Sequence, residues 1–119
     1  MKLFVASGKR KTAIAKASVK QGKGNVMVNG VPLDQVQPDL TRVKIREPLL
    51  LAGDAAQGVS LSVSVVGGGV TAQADAARLA IAKALVGFTK SERLKDRFLK
   101  YDRHLLVADV RRKEPSKPN

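Results

Sequence analysis

The chain has 119 residues, of which 44% are hydrophobic, and this suits a single domain with a modest core. It contains no cysteine, which excludes disulfides and thiolate metal sites and is typical of a reducing, cytoplasmic compartment. The formal net charge is +12 and it is segregated: residues 1–24 contain seven basic and no acidic side chains, residues 25–89 five of each, and residues 90–119 ten basic and five acidic.

The first third of the chain predicts three strands. Residues 3–5 begin a short strand that reaches a turn at Ser7-Gly8. Residues 12–20 alternate with the period of a strand that has one buried face and a partly basic outer row. Residues 21–24 are typical of a turn into a strand at 26–28, so the second and third strands are predicted to form a hairpin. The predicted buried positions are Ala13, Ala15, Ala17 and Val19, and the outer ones are Ile14, Lys16, Ser18 and Lys20.

The next segment predicts short helices. Residues 32–36 suit one helical turn. Asp39 or Thr41 caps a short helix that must stop near Glu47, because a proline disfavours helical geometry in the residue before it. Pro48 suits the first position of a second short helix.

A strand, three glycines and a helix follow. Residues 59–65 alternate between Val or Leu and Ser, which predicts a strand with one buried face. The glycines at 67–69 break this pattern, and from residue 71 to 88 apolar residues recur at helical spacing with alanine between them. Charged residues do not gather on one side of this helix, so it is expected to be enclosed on more than one face. Residues 89–92 fit a capping box for a last helix at about 90–99.

These elements predict an α+β sandwich in which a mainly antiparallel sheet is covered on one face by helices. We expect one globular domain over residues 1–103. Residues 104–119 have few apolar anchors and are expected to form an extended basic tail.

Basic residues at both ends of a neutral centre indicate a polyanionic partner, and nucleic acid is the commonest. Only 3% of the residues are aromatic, so recognition of RNA backbone and shape is favoured over base stacking. The alternative is a surface that only confers solubility. No secretory signal is expected. No membrane segment is expected either, because the uncharged run at 55–74 contains serines and three glycines. The candidate RNA-binding residues are Lys9, Arg10, Lys11, Lys16, Lys20, Lys23, Arg111, Arg112, Lys113 and Lys117.

The most enzyme-like feature is Gly67-Gly68-Gly69 ahead of a helix, where free backbone N–H groups attract anions. The Walker pattern is absent, and the nearest carboxylates, Asp54 and Asp75, are isolated. His104 is the one histidine and has no pattern of a metal site or a catalytic base. We therefore expect no cofactor, no metal and no catalysis. A stand-alone RNA-binding protein and a glycine-loop phosphate-binding enzyme are the alternatives.

Several ordered motifs resemble the small-subunit ribosomal protein S9 family in its archaeal and eukaryotic form, from about Val5 to Asn119. They are the run from Ser7 to Ala15, Val28-Asn29-Gly30 with Pro32-Leu33, Glu47-Pro48-Leu49, Gly67-Gly68-Gly69 with Gln73, Arg78 and the run from Ala82 to Val86, Lys100-Tyr101-Asp102-Arg103, and the run from Arg111 to Pro115.

This resemblance implies the fold of ribosomal protein S5 domain 2, with a left-handed βαβ crossover where general handedness rules favour a right-handed one. It implies binding to ribosomal RNA in the head of the small subunit, beside neighbouring head proteins of the cytoplasmic ribosome. It adds Arg103 to the RNA contacts, and leaves open whether Gln73 and Arg78 touch RNA or hold the glycine turn. Family members continue into a basic tail that reaches the peptidyl-site tRNA, whereas this sequence ends at Asn119, so tRNA contact is expected only of a longer tail.

Overall fold

A computed structural model of the chain describes residues 3–36, 39–90 and 92–101. Five strands form one sheet: β1 (Leu3–Arg10), β2 (Ala13–Gln21), β3 (Val26–Val28), β4 (Val31–Pro32) and β5 (Val59–Val66). A short 3-10 turn (Leu33–Gln35) follows β4, and the helices are α1 (Asp39–Ala52), α2 (Asp54–Gln57), α3 (Val70–Thr89) and α4 (Glu92–Tyr101).

The strand order in the sheet is β1-β2-β5-β3-β4. The pairs β1–β2, β2–β5 and β3–β4 are antiparallel, whereas β3 and β5 run parallel and are joined by a crossover that contains the helices α1 and α2. The sheet is therefore mainly antiparallel, and the chain has the predicted α+β fold of the S5 domain 2-like kind. The left hand of the crossover stays a prediction.

The predicted hairpin between the second and third strands is wrong, because β5 lies between them. The link at 22–25 crosses the start of β5, where the Gly22 N–H donates to Gly58 O at 3.0 Å and the Gly24 N–H donates to Val59 O at 2.8 Å. Because β5 pairs with β2 along its whole length, it occupies the edge of β2 that β3 was predicted to use. β3 pairs instead with the opposite edge of β5.

The first turn lies later than predicted. Ser7 and Gly8 are inside β1, and the turn to β2 is formed by Lys11 and Thr12. Gly8 marks a close approach of backbones: a Cβ atom there would lie 2.6 Å from Ala76 O in α3. Glycine within a strand often has this role.

The core lies between the sheet and α3, which packs on β1, β2 and β5 and also on α1. The predicted alternation is confirmed: the inward-facing residues of β2 are fully buried and those of β5 nearly so, while the intervening residues are exposed or half-buried. Small side chains let α3 lie close to the sheet, and the predicted enclosure of this helix is confirmed by its buried residues Ala74, Ala76, Ala77, Leu79, Ala80, Ile81, Ala82, Ala84 and Leu85.

Pro48 does not end a helix, contrary to prediction, because α1 continues through it to Ala52. An interior proline removes one helical hydrogen bond and costs about 3 kcal/mol. Here the proline is fully buried, and Lys44 and Glu47 on the same helix form ion pairs with Asp75 and Arg78 of α3. Tertiary packing therefore outweighs the local tendency of proline to end the helix.

The predicted capping box at residues 89–92 is also wrong in its first residue. Thr89 is the last residue of α3, and its hydroxyl donates to Leu85 O at 2.7 Å. Lys90 follows in the left-handed conformation and closes α3 with an N–H bond to Val86 O. The last helix itself is confirmed and begins at Glu92.

Candidate nucleic-acid interface

The first cationic cluster lies at the β1–β2 turn. Lys9 pairs with Ile14 and Arg10 with Ala13 in the antiparallel register. Since Ala13 faces the helices, Arg10 lies on the covered face and is half-buried, whereas Lys9 is exposed on the opposite face. Lys11 occupies the turn itself, with φ 56°, and is exposed. The three cations therefore surround one end of the hairpin, with only Lys11 in the turn.

The second cluster lies along β2. Lys16 and Lys20 are exposed and point away from the helices, on the same face of the sheet as Lys9. We refer to this uncovered side of the strands as the outer face. Lys23 is exposed in the link that crosses the start of β5. The fold thus brings three of the predicted lysines, Lys9, Lys16 and Lys20, to one open surface.

The described strands carry no acidic residue to this surface, since none of them contains an Asp or Glu. Four carboxylates of the 3-10 turn, α1 and α3 pair instead with cations of α1 and α3. These ion pairs are Arg42–Asp39 at 2.6 Å, Lys44–Asp75 at 2.8 Å, Arg46–Asp34 at 2.7 Å and Arg78–Glu47 at 2.7 Å.

The glycine turn lies directly against the β1–β2 turn. Gly67 and Gly68 have φ 80° and 68°, a region that favours glycine. A Cβ atom on Gly67 would lie 2.5 Å from Thr12 O, and one on Gly68 would lie 3.0 Å from Ala13 Cβ. Gln73 Nε2 donates to Gly67 O at 3.0 Å, so Gln73 holds the turn. A Cβ atom on Gly69 would have no such neighbour within 4 Å.

Arg78 has a structural position between two helices. Its Nε donates to Glu47 Oε1 at 2.7 Å, and its side chain is only 14% exposed. Of the two roles left open by the sequence, Gln73 has the second, since it holds the glycine turn, whereas Arg78 ties α3 to α1.

The remaining predicted RNA contacts lie outside the described residues. They are Arg103, Arg111, Arg112, Lys113 and Lys117.

The start of α3 borders a cavity of about 260 Å³, to which Val70 and Gln73 contribute. Its lining contains polar amides and a threonine but no charged side chain. Over residues 3–36, 39–90 and 92–101, no group of His, Cys, Asp or Glu is arranged to hold a metal ion. This cavity therefore lacks the carboxylates that phosphoryl transfer requires for magnesium and proton transfer.

Comparison with known proteins decides the family. The model of the family described as ribosomal protein S9/S16 matches residues 8–119. Two small ribosomal subunit proteins uS9, from Methanococcus maripaludis strains C7 and C5, are each 46% identical to the chain over 119 residues, which is 100% of this chain and 89% of each relative. The chain belongs to the ribosomal protein S9/S16 family.

As an S9/S16 protein, the chain is a structural component of the small subunit of the cytoplasmic ribosome, and the archaeal resemblance is confirmed by these relatives. The family favours a ribosomal component over a stand-alone RNA-binding protein. A separate observation concerns membranes: among the described residues, no helix combines the length and the apolar character needed to cross one.

Sequence reasoning missed the role of Asn29 in this S9/S16 fold. The Val65 N–H donates to Asn29 Oδ1 at 2.9 Å, and Asn29 Nδ2 donates to Val65 O at 3.3 Å. These bonds continue the ladder of β5 beyond the end of β3 and fix the β3–β4 turn. The dipeptide Asn29-Gly30 signalled a turn, but no local signal pointed to a partner 36 residues away.

Replacing Arg78 by glutamine is expected to lower the free energy of unfolding by about 1–3 kcal/mol, because Glu47 loses a charge-assisted partner in a half-buried position. Arg46→Gln is the control, since its ion pair with Asp34 is exposed and is expected to contribute under ~1 kcal/mol. Urea unfolding measures both. RNA affinity of the folded Arg78 variant should equal that of the wild type, and a large loss of affinity without destabilisation would contradict the structural role.

Proposed function

We propose that this ribosomal protein binds ribosomal RNA in the head of the small subunit through the cations of its β1–β2 hairpin and of its C-terminal residues, and that it catalyses no reaction. The observation that carries the proposal is the exposure of Lys9, Lys16 and Lys20 on one face of the sheet, whose described strands contain no Asp or Glu. Lys11 and Lys23 extend this charge beyond the ends of β2.

The mode of binding follows from the side chains available. Lysine ammonium groups neutralise phosphates as point charges and release condensed counterions. Exposed aromatic side chains for base stacking are scarce, since among the described residues Phe98 is buried, Phe88 is half-buried, and Phe4, which is 37% exposed, lies on the covered face beside Gly87 of α3. Contacts to the backbone and shape of folded RNA therefore fit this surface better than contacts to single-stranded bases.

A catalytic role has less support. The glycine turn is explained by close packing on Thr12 and Ala13, and the neighbouring cavity has an uncharged lining. Both features fit a scaffold protein, because a nucleotide site would need groups that hold magnesium and phosphates.

We extend the proposal to the C-terminal part. Residues 1–103 form the globular domain, and residues 104–119 form a basic tail with Arg111, Arg112, Lys113 and Lys117 on RNA. Contact with tRNA in the peptidyl site is proposed only for a chain that carries a longer basic extension.

The test is equilibrium binding of the purified chain to a transcript of small-subunit ribosomal RNA from Methanococcus maripaludis at a series of salt concentrations. Six hairpin cations on phosphates predict a slope of log K against log salt of about −4 to −5, since each phosphate contact contributes about −0.7 to −0.9. A calorimetric titration with ATP is the control and should release no binding heat. Weak, salt-insensitive RNA binding together with tight ATP binding would overturn the proposal in favour of the enzyme.

A further inference from the structure

The outer face of the sheet carries a regular array of serines in addition to its lysines. Ser18 lies directly opposite Ser62, and Lys16 lies opposite both Ser7 and Ser64 in the register of β1, β2 and β5. Residues that are paired in this way share one face. We refer to Ser7, Ser18, Ser62 and Ser64 as the serine platform.

The platform is accessible and its side chains are short. Ser7, Ser62 and Ser64 are exposed and Ser18 is half-buried, and all of them point away from the helices. Strands lie about 4.8 Å apart and alternate residues along a strand about 6.7 Å apart, so hydroxyl groups recur across the surface at those spacings. Serine is the smallest side chain with a hydroxyl, and this lets another backbone approach the sheet closely.

We propose that the serine platform is a second RNA-contact surface, on which hydroxyl groups bind the phosphate and ribose groups of the ribosomal RNA backbone while Lys16 and Lys20 neutralise its charge. This inference rests on the proposed function, since it assigns new residues to the same RNA. Serine hydroxyls donate to phosphate oxygens, and they both donate to and accept from the ribose 2′-hydroxyl.

Charge complementarity selects the occupant. The described strands bring lysines and no carboxylate to this face, whereas Arg42, Lys44 and Arg78 on α1 and α3 are each paired with a carboxylate. A polyanion is therefore attracted to the outer face and gains less at the paired cations of α1 and α3.

A protein partner fits the centre of this face poorly. Serine and lysine are depleted in protein–protein interfaces, whose centres are apolar and aromatic. The exposed apolar residues of the outer face lie mainly at its ends, with Leu3 at one end and Ile14 and Val66 at the other. The two middle rows contain the platform serines and Lys16, which are groups that contact nucleic acid backbones, and Val5 lies at the β1 edge of the row that contains Ser18 and Ser62.

The experiment uses the full chain and the small-subunit rRNA transcript, with two triple variants at positions 18, 62 and 64. Ser→Ala at all three removes the hydroxyls, and we expect the affinity to fall by about tenfold, as three net hydrogen bonds imply. Ser→Thr at all three keeps the hydroxyls and suits strands, so it should restore affinity to within about threefold of the wild type. Urea unfolding of both variants establishes that the sheet is intact.

A charge reversal gives a second readout. Ser62→Glu places a carboxylate in the middle of the platform, and we expect it to weaken RNA binding by more than tenfold at low salt. Gln57→Glu is the matched control, because it adds the same charge at an exposed position of α2 and should change affinity by less than about twofold.

Three results would overturn the inference. Folded Ala and Glu variants that bind RNA as the wild type does would exclude the platform as an RNA contact, while the proposed function would stand if the hairpin cations remained necessary. Normal RNA binding with poor incorporation into small subunits would assign the platform to a protein partner. Absence of RNA binding by the wild type would remove both proposals.

Discussion

Replacing Lys9, Arg10 and Lys11 together by alanine is expected to weaken binding to small-subunit rRNA on the order of 100-fold at physiological salt, the largest effect on function that the structure predicts. The three cations surround one end of the β1–β2 hairpin, so their removal takes three charges from one contact region. The slope of log K against log salt should become shallower by about 2 to 3. Filter binding over a salt series measures both quantities.

The matched control removes three exposed cations from the helical side, at Lys90, Lys95 and Lys100. It lowers the net charge equally, and we expect it to reduce affinity only slightly, because long-range attraction between exposed charges is screened beyond about 8 Å. Equal losses for the two triple variants would indicate that net charge, rather than the hairpin, determines RNA affinity. Unfolding curves are needed for the hairpin variant, since Arg10 is half-buried.

Gly8→Ala is expected to lower the free energy of unfolding by about 3 kcal/mol or more, although the substitution adds only a single methyl group. The new Cβ would lie 2.6 Å from Ala76 O and 2.8 Å from Ala80 N, both backbone atoms of α3. A helix backbone cannot move aside as a flexible side chain does, so α3 would have to shift away from the sheet and lose packing along its buried face.

Gly58→Ala is the control for the loss of glycine flexibility. Gly58 has φ −94°, and nothing lies within 4 Å of its Cβ position. We expect this variant to equal the wild type in stability or to exceed it by up to about 1 kcal/mol, because alanine restricts the unfolded chain. Urea unfolding curves with equal m-values give the two midpoints to be compared. A Gly8→Ala midpoint equal to that of Gly58→Ala would contradict the prediction, because it would show that α3 can move away from the sheet without loss of stability.

Hydrophobic periodicity correctly predicted the strands and the helix whose burial pattern is visible in their own residues. The alternation around Ala15 and Val63 identified the inward rows of β2 and β5, and the apolar spacing from Ala77 to Leu85 identified α3. In each case the pattern shows which faces of the element are buried: one face for each strand and several for α3. The fold buries those same faces.

Pairing partners and helix ends were predicted less well, since both depend on distant residues. The glycines at positions 22 and 24 signalled a turn, but their N–H groups bond to carbonyls at 58 and 59, which no local pattern predicts. Pro48 was expected to end a helix, and its full burial within α1 overrides that preference. Gly8 was interpreted as a turn residue, although its small size serves helix packing instead.

The basic run in the sequence was enough to predict a cationic cluster at one end of the hairpin, whereas its contact with RNA stays a prediction. The positions of Lys9 and Lys11 at the end of the hairpin follow from the basic run and the strand on either side of it. The roles of Gln73 and Arg78 needed distances, because a motif cannot distinguish a side chain that binds a ligand from one that holds a turn.

The insertion of β5 between β2 and β3 has a consequence for biosynthesis. The inner edge of β2 pairs with a strand that begins at Val59, 38 positions after Gln21, so this edge is complete only when that later segment has been translated. At roughly 5–20 residues per second, elongation from one strand to the other takes about two to eight seconds. During this interval the nascent hairpin presents an open edge, a form that is prone to aggregate. Lys16 and Lys20 lie on that strand, and charged lysines oppose edge-to-edge association, so the side chains that we propose as RNA contacts also counter aggregation of the nascent chain.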